Sequence, residues 1–147
     1  MAKTIKNMKD LEKALQPVLL GMVDELAERV YETLNFFLQE YYNSYDPKSY
    51  RRQFDFLRSA VKVKAKTSGN KAVASVFIDA DAMDNYYNAT GCQVAAWANQ
   101  GLHGGLDTGG KTPRVWDDTL DEAINNGELL KLAVEYLRSK GISVANF

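Results

Sequence analysis

Apolar and polar positions along this chain repeat with two different periods, and the change of period divides it. From Pro17 to Tyr45 the period is helical. Leu19, Met22, Leu26, Val30, Leu34, Phe37 and Tyr41 follow the three-then-four spacing of one helical face, and Asp24, Glu25, Glu28, Glu32, Asn35 and Gln39 fall opposite. Leu20, Tyr31, Leu38 and Tyr42 add a second apolar flank. A surface helix ordinarily has one stripe about 100° wide, and this arc is broader. Two readings account for the excess: a helix buried on two sides within one domain, or one packed both on its own domain and on a neighbouring subunit. At ~1.5 Å per residue the helix is about 40 Å long. Upstream, Met8, Leu11 and Leu15 place a short helix over 8–16. Pro17 lacks an N–H and suits a first helical turn, so it separates this helix from the long one over 17–44. Gly21 weakens the early turns by ~1 kcal/mol relative to Ala.

The long helix ends before Pro47, which pushes Asp46 out of helical backbone. Tyr50, Phe54 and Leu57 then recur at helical spacing, enough for a short helix or turn. From Val61 the period becomes two. Val61, Val63 and Ala65 are expected inward, and Lys62, Lys64 and Lys66 outward. Ser68-Gly69-Asn70-Lys71 is a turn, and Ala72–Asp79 is a second, more apolar and more central strand. Together they predict an antiparallel hairpin over 61–79. Cys92–Asn99 fits a short helix or a strand equally well. A glycine-rich loop covers 101–112. Thr119 to Glu122 has the form of a capping box opening a short helix, stopped by Asn126-Gly127. A C-terminal amphipathic helix spans 128–140, with Leu129, Leu132, Ala133, Tyr136 and Leu137 inward and Gly141 as its C-cap. The tail from Ile142 to Phe147 is apolar enough for an edge strand. The whole chain reads as one α+β domain, with the long amphipathic helix and the C-terminal helix packed on a small antiparallel sheet.

Composition narrows the chemistry. The 147 residues carry one cysteine, Cys92, and one histidine, His103. That excludes an internal disulfide and a cysteine- or histidine-rich zinc site. No apolar run spans a membrane, and the N-terminal MAKTIKNMKD lacks the apolar stretch of a signal peptide, so a cytosolic origin is expected. The net charge of −1 is unevenly spread. Bases gather in 48–71 (Lys48, Arg51, Arg52, Arg58, Lys62, Lys64, Lys66 and Lys71) with Asp55 the one acid among them. Such a segment suits nucleic acid or an acidic partner, or simply forms a solvated sheet face.

Several motifs resemble catalytic signatures but lack their settings. Gly105 to Thr112 matches the phosphate-loop pattern GxxxxGK[ST], yet no apolar strand precedes it and Pro113 follows it. Asp107-Thr108-Gly109 has the aspartic-protease tripeptide without its strand. Asp79, Asp81 and Asp84 do not continue as a calcium loop, since Met83 and Thr90 fall where ligands belong. Cys92 and His103 have no third group to make a relay.

Tyr41-Tyr42-x-x-Tyr45-x-Pro47-x-x-Tyr50-x-Arg52, then Leu57-Arg58-Ser59 and a basic strand, resembles the tailed-phage HK97 gp10-like family. Gly101-Leu102-His103-Gly104-Gly105 and Trp116-Asp117 match later segments of that family. The resemblance covers roughly Glu25 to Asp118, and it departs at Gln53 and over Asp107–Lys111. It implies a non-enzymatic structural protein without cofactor, in the head–tail neck of a virion, assembled in the bacterial cytoplasm. The implied partners are further copies in a cyclic homo-oligomer (hexamer or dodecamer), the connector or adaptor, and tail tube or tail terminator proteins. It implies no membrane contact, and nucleic-acid contact at most indirectly. The surplus apolar helix surface agrees with subunit contacts. The residues expected in those contacts are Tyr31, Phe36, Leu38, Tyr42 and Tyr45. Phe36 projects from the polar side of its helix. Arg51, Arg52, His103, Gly104 and Gly105 are expected to dock partners. The alternative is a nucleic-acid-binding protein, with the lysines of 48–71, Arg51 and Arg52 on phosphates and Tyr45 and Tyr50 stacking on bases.

Overall fold

The computed structural model describes residues 4–44, 55–83, 90–103, 106–107 and 112–145. The fold is α+β, as the two periods imply. A single helix, α1, runs from Met8 to Asn43. Its 36 residues make it about 54 Å long. Asn7 caps its start by accepting the Asp10 N–H at 2.9 Å. Pro17 lies inside this helix and does not divide it, contrary to the expected break between 8–16 and 17–44. The reason is the apolar stripe. Leu11, Leu15, Leu19, Met22 and Leu26 keep one face through Pro17, so packing holds the turn despite one lost backbone bond. Pro17 itself is exposed, on the side where a lost bond does least harm.

Two strands follow, β1 (Ala60–Ser68) and β2 (Lys71–Ile78), paired antiparallel with Gly69 at φ +63° in the turn between them. A two-residue turn needs such positive φ, which glycine adopts without strain. Val61 pairs with Phe77, Lys62 with Val76 and Val63 with Ser75, but the next pair is Lys66 with Val73. β1 therefore carries one extra residue, a bulge at Lys64-Ala65. Ala72, Ala74, Val76 and Ile78 form the half-buried face of β2, and Val76 and Ile78 pack on the core. Directly paired residues share a face, so Lys62 points inward with Val76, and Val61 and Val63 point outward with Phe77. This inverts the expected orientation of β1. Nor is β2 a central strand, because the sheet has two strands among the described residues.

Lys62 is drawn inward by two carboxylates one helical turn apart on α1. Its ammonium donates to Glu28 at 2.9 Å and lies 3.3 Å from Asp24, with 18% of the side chain exposed. Asp24 also accepts the bulge N–H of Ala65 at 3.0 Å. A hairpin of two strands is marginal alone. This cluster and the apolar face of β2 fasten it to α1.

A 3-10 turn at Ala80–Ala82 leads toward α2 (Gly91–Asn99), which resolves the helix-or-strand ambiguity of that segment. A true capping box opens α2. Thr90 accepts the Gln93 N–H, and the Gln93 side chain accepts the Thr90 N–H. Gly91 sits where any Cβ would collide with the Ala80 carbonyl, so α2 can approach the 3-10 turn only with glycine there. Two short strands, β3 (Leu102–His103) and β4 (Leu106–Asp107), pair antiparallel inside the glycine-rich segment.

Helix α3 (Val115–Leu120) continues into a π turn at Asp121–Asn125, and α4 (Glu128–Ser139) follows. The expected capping box at Thr119 is absent. Thr119 is fully buried inside α3, its hydroxyl donating to the Val115 carbonyl. The N-cap of α3 comes instead from Asn99 at the end of α2. Its side-chain oxygen accepts the N–H groups of Trp116 at 3.0 Å and Asp117 at 2.8 Å. Helix α4 closes as expected at Gly141, where Ile142 donates to the Leu137 carbonyl and Gly141 to that of Arg138. Beyond it, 142–145 form no strand, so the expected edge strand is absent from the described residues.

The core is confined to the second half of α1. Leu34, Leu38, Tyr41 and Tyr42 pack with Phe56, Ala60, Ala98 and Val115. Tyr41 and Phe56 meet edge to face, with ring centroids 5.3 Å apart.

Two outcomes are expected. The hydrogen bond from Ala65, reinforced by Lys62, holds the Asp24 carboxyl below the usual carboxylate range, and hydrogen bonding to Glu28 and Asp24 raises Lys62. The Asp24 contribution is complete above the unfolded pKa of about 3.9 and is lost as pH falls through its lower folded value. The Lys62 contribution is complete below about 10.4 and is lost as pH rises through its higher folded value. Asp24→Asn should therefore lower the melting temperature by a few degrees at neutral pH, and that gap should close in melts taken at progressively lower pH below about 3.9. Asn99→Ala should cost about 1–2 kcal/mol in denaturant unfolding, since it strips the cap from α3.

Candidate functional site

No pocket with convergent catalytic groups emerges from the described residues. The informative features are apolar surfaces that the chain leaves uncovered, so the site is built from these.

The first lies around Phe36. Leu34 and Leu38 point into the core and are fully buried. A residue midway between them on a helix faces the other side, and Phe36 is 58% exposed there. It meets Phe37 edge to face at 5.2 Å. On either side of this pair runs a groove where α1 meets the α3 segment, each of about 510 Å³. One is bordered by Arg29, Glu32 and Glu122; the other by Glu40, Arg114 and Asp118. The π turn carries Glu122 to this edge. Such turns recur at functional sites because they widen the helix and re-aim its side chains.

The second surface is the outward face of the hairpin. Val63, Val73 and Phe77 are each exposed by about two-fifths. By the register, Lys66 shares this face with Val73, and Lys71 follows two positions from it. Neither lysine forms an ion pair among the described residues.

The third is the far end of the molecule. Buried residues on α1 begin at Ala27, and α4 has none. Leu11, Leu15, Leu19 and Met22 remain half-buried, Met8 is exposed, and Leu130 of α4 is 55% exposed. Gly21 lets Tyr136 of α4 come close, since a Cβ there would strike its hydroxyl.

Against this map the expected contact residues separate. Phe36 is exposed as anticipated. Tyr31 is half-buried and packs against the core. Leu38 and Tyr42 are corrected: both are buried in the chain's own core. The Tyr42 hydroxyl accepts the Leu57 N–H, and the Tyr41 hydroxyl donates to the Leu102 carbonyl. Tyr41 and Tyr42 thus hold this chain's own loops and leave little ring surface for another subunit. Tyr45, Arg51, Arg52, Gly104 and Gly105 lie outside the described residues, as do Tyr50 and Lys48. His103 is described through its backbone, paired with Leu106 in the β3–β4 hairpin.

The basic stripe expected for nucleic acid is not a single face. Lys62 is turned inward onto Asp24 and Glu28, while Lys66 lies outward across the bulge. The phosphate-loop pattern also loses its setting: β4 lies within it, and the next helix starts at Val115, beyond Lys111-Thr112. No group of three His, Cys, Asp or Glu residues is placed to hold a metal among the described residues, and no helix there is long and apolar enough to cross a membrane.

Glu122, Asp118 and Leu130 were missed by the sequence reading. Leu130 was legible by the criterion that singled out Phe36, an apolar residue off its helix's stripe. The grooves were not, because they depend on how α3 lies along α1.

Residues 7–139 match the model of the YomN family. No curated protein and no solved structure matches the chain. The match takes in nearly the whole sequence, so the chain belongs to the YomN family, a phage- and prophage-associated domain family.

Proposed function

We propose that this chain is a structural subunit of a phage, prophage or phage-tail-like particle, which acts by assembly and not by catalysis. The observation that carries the reading is the uncovered end of the molecule. A helix of 36 residues buries side chains only from Ala27 onward, and the helix laid against its first half buries none. Two helices leave the outer sides of their apolar stripes wet, and a patch of this kind marks a protein contact. Neighbouring subunits that cover Leu11, Leu15, Leu19 and Leu130 supply the missing layer.

The finer reading places the subunit in the head–tail neck, in a ring that completes the tail or joins it to the connector. It rests on the likeness of Gly101–Gly105 and the tyrosine-rich helix end to the HK97 gp10-like family, together with the phage association of the YomN family. The partners on the two faces of such a ring are connector or adaptor proteins and tail tube or tail terminator proteins. The particle is assembled in the host cytoplasm and the protein ends in the virion.

Light scattering across a concentration series tests this. The expected result is a discrete oligomer at high concentration whose melting temperature rises with concentration, because association stabilises only the folded chain. Met8→Glu with Leu130→Glu alters two exposed positions and should shift the series toward smaller species without changing the dilute-limit melt. A monomer with a concentration-independent melt up to the solubility limit would contradict the ring.

A further inference from the structure

We infer that the subunits join head to tail, with the outward face of the β1–β2 hairpin of one copy seated in the Phe36 groove of the next. This rests on the assembly reading above and adds a second interface to the contact at Leu11, Leu15, Leu19 and Leu130.

The two surfaces match in shape and in charge. The hairpin face is apolar at Val63, Val73 and Phe77 and basic at Lys66 and Lys71. From Val61 to Ile78 the sequence contains no acidic residue. The grooves are apolar at Phe36 and Phe37 and bordered by Glu32, Glu40, Asp118 and Glu122, against Arg29 and Arg114. Arg114 is already engaged by Asp117 at 3.5 Å. An aromatic ring set in an apolar floor with opposite charges around it is the usual anatomy of a specific contact. Phe77 is the one aromatic side chain on the hairpin face, and each groove of about 510 Å³ has room for it.

The two surfaces also cannot meet within one chain. They share no residue. The hairpin is fastened to α1 at Asp24 and Glu28, and its apolar outer face looks away from that helix. The grooves open on another flank, between Phe36 and the α3 segment. A contact between two different patches is heterologous, so each added copy presents a fresh groove and a fresh hairpin. Such contacts close into rings when the rotation permits.

The experiment pairs two broken subunits. Phe36→Ser damages the groove and leaves the hairpin intact; Phe77→Ser with Val73→Ser does the reverse. All three positions are exposed. Each variant alone should lose the closed oligomer, with association weakened at least tenfold. An equimolar mixture, with one variant isotopically labelled for native mass spectrometry, should yield a two-chain complex holding one of each. With Met8→Glu and Leu130→Glu carried in both chains to block the α1–α4 end, it should stop there, because the remaining groove and hairpin are both damaged. Should a serine variant melt early, the exposed charge variants Glu32→Lys with Glu122→Lys, and Lys66→Glu with Lys71→Glu, carry the same pairing test. If both damaged variants still form the oligomer of the unaltered chain, or if mixing restores nothing, the hairpin–groove contact is wrong while assembly stands. If the unaltered chain never associates, the assembly reading itself fails.

Discussion

One helix has to serve as the packing surface for almost everything else in this chain. The hairpin, the α3 segment and α4 lie along α1, and α2 reaches the same core through Ala98. None of these elements is large enough to bury its own apolar face. A two-stranded hairpin and a six-residue α3 have no independent stability. Their order therefore follows from the half of α1 between Ala27 and Tyr42, where leucine and tyrosine side chains exclude water. The other half of α1 has the same stripe, and among the described residues it is covered by α4 and, near Asp24, by the edge of the hairpin. That imbalance within one continuous helix is the constraint from which the functional reading follows.

The attachment of the hairpin shows how specific the polar chemistry can be at such a surface. Lys62 could have pointed to solvent, and simple alternation expects it there. Asp24 and Glu28 stand one turn apart on α1, and together they hold the ammonium while the bulge turns the rest of β1 over. The consequence is larger than the ion pair. With Lys62 inward, Val61 and Val63 face outward beside Phe77, and an apolar patch appears on what would have been a basic face. The same residue that breaks up a basic face thus leaves an exposed apolar one.

Much of this was legible in the sequence and some was not, for physical reasons. The helical and strand periods located α1, the hairpin and α4, and the oddly placed Phe36 marked a surface residue. Pro17 misled because its local penalty is conspicuous, whereas the unbroken stripe on both sides of it decides the outcome. The direction of β1 misled because a period of two fixes alternation but not which set faces inward, and the bulge that resolves it depends on a carboxylate forty residues away. Leu38 and Tyr42 carry the same apolar signal whether they meet a neighbour or the chain's own core, and the structure places both in the core cluster, with Tyr42 against Phe56. The capping box at Thr119 was read in place of the real one at Thr90 because both have the same spacing. Membership of the YomN family agrees with the phage association that the short motifs suggested, and it extends over regions those motifs do not reach.

Under the assembly proposal, the burial on α1 that the chain provides for itself starts at Ala27 and association completes the rest. Amide hydrogen exchange measured at low and high protein concentration tests it most directly, because it reads opening segment by segment. Residues 8–26 and α4 should exchange quickly when dilute and slow markedly with concentration, while the segment from Ala27 to Tyr42 stays protected throughout. Equal protection along all of α1, unchanged by concentration, would contradict it.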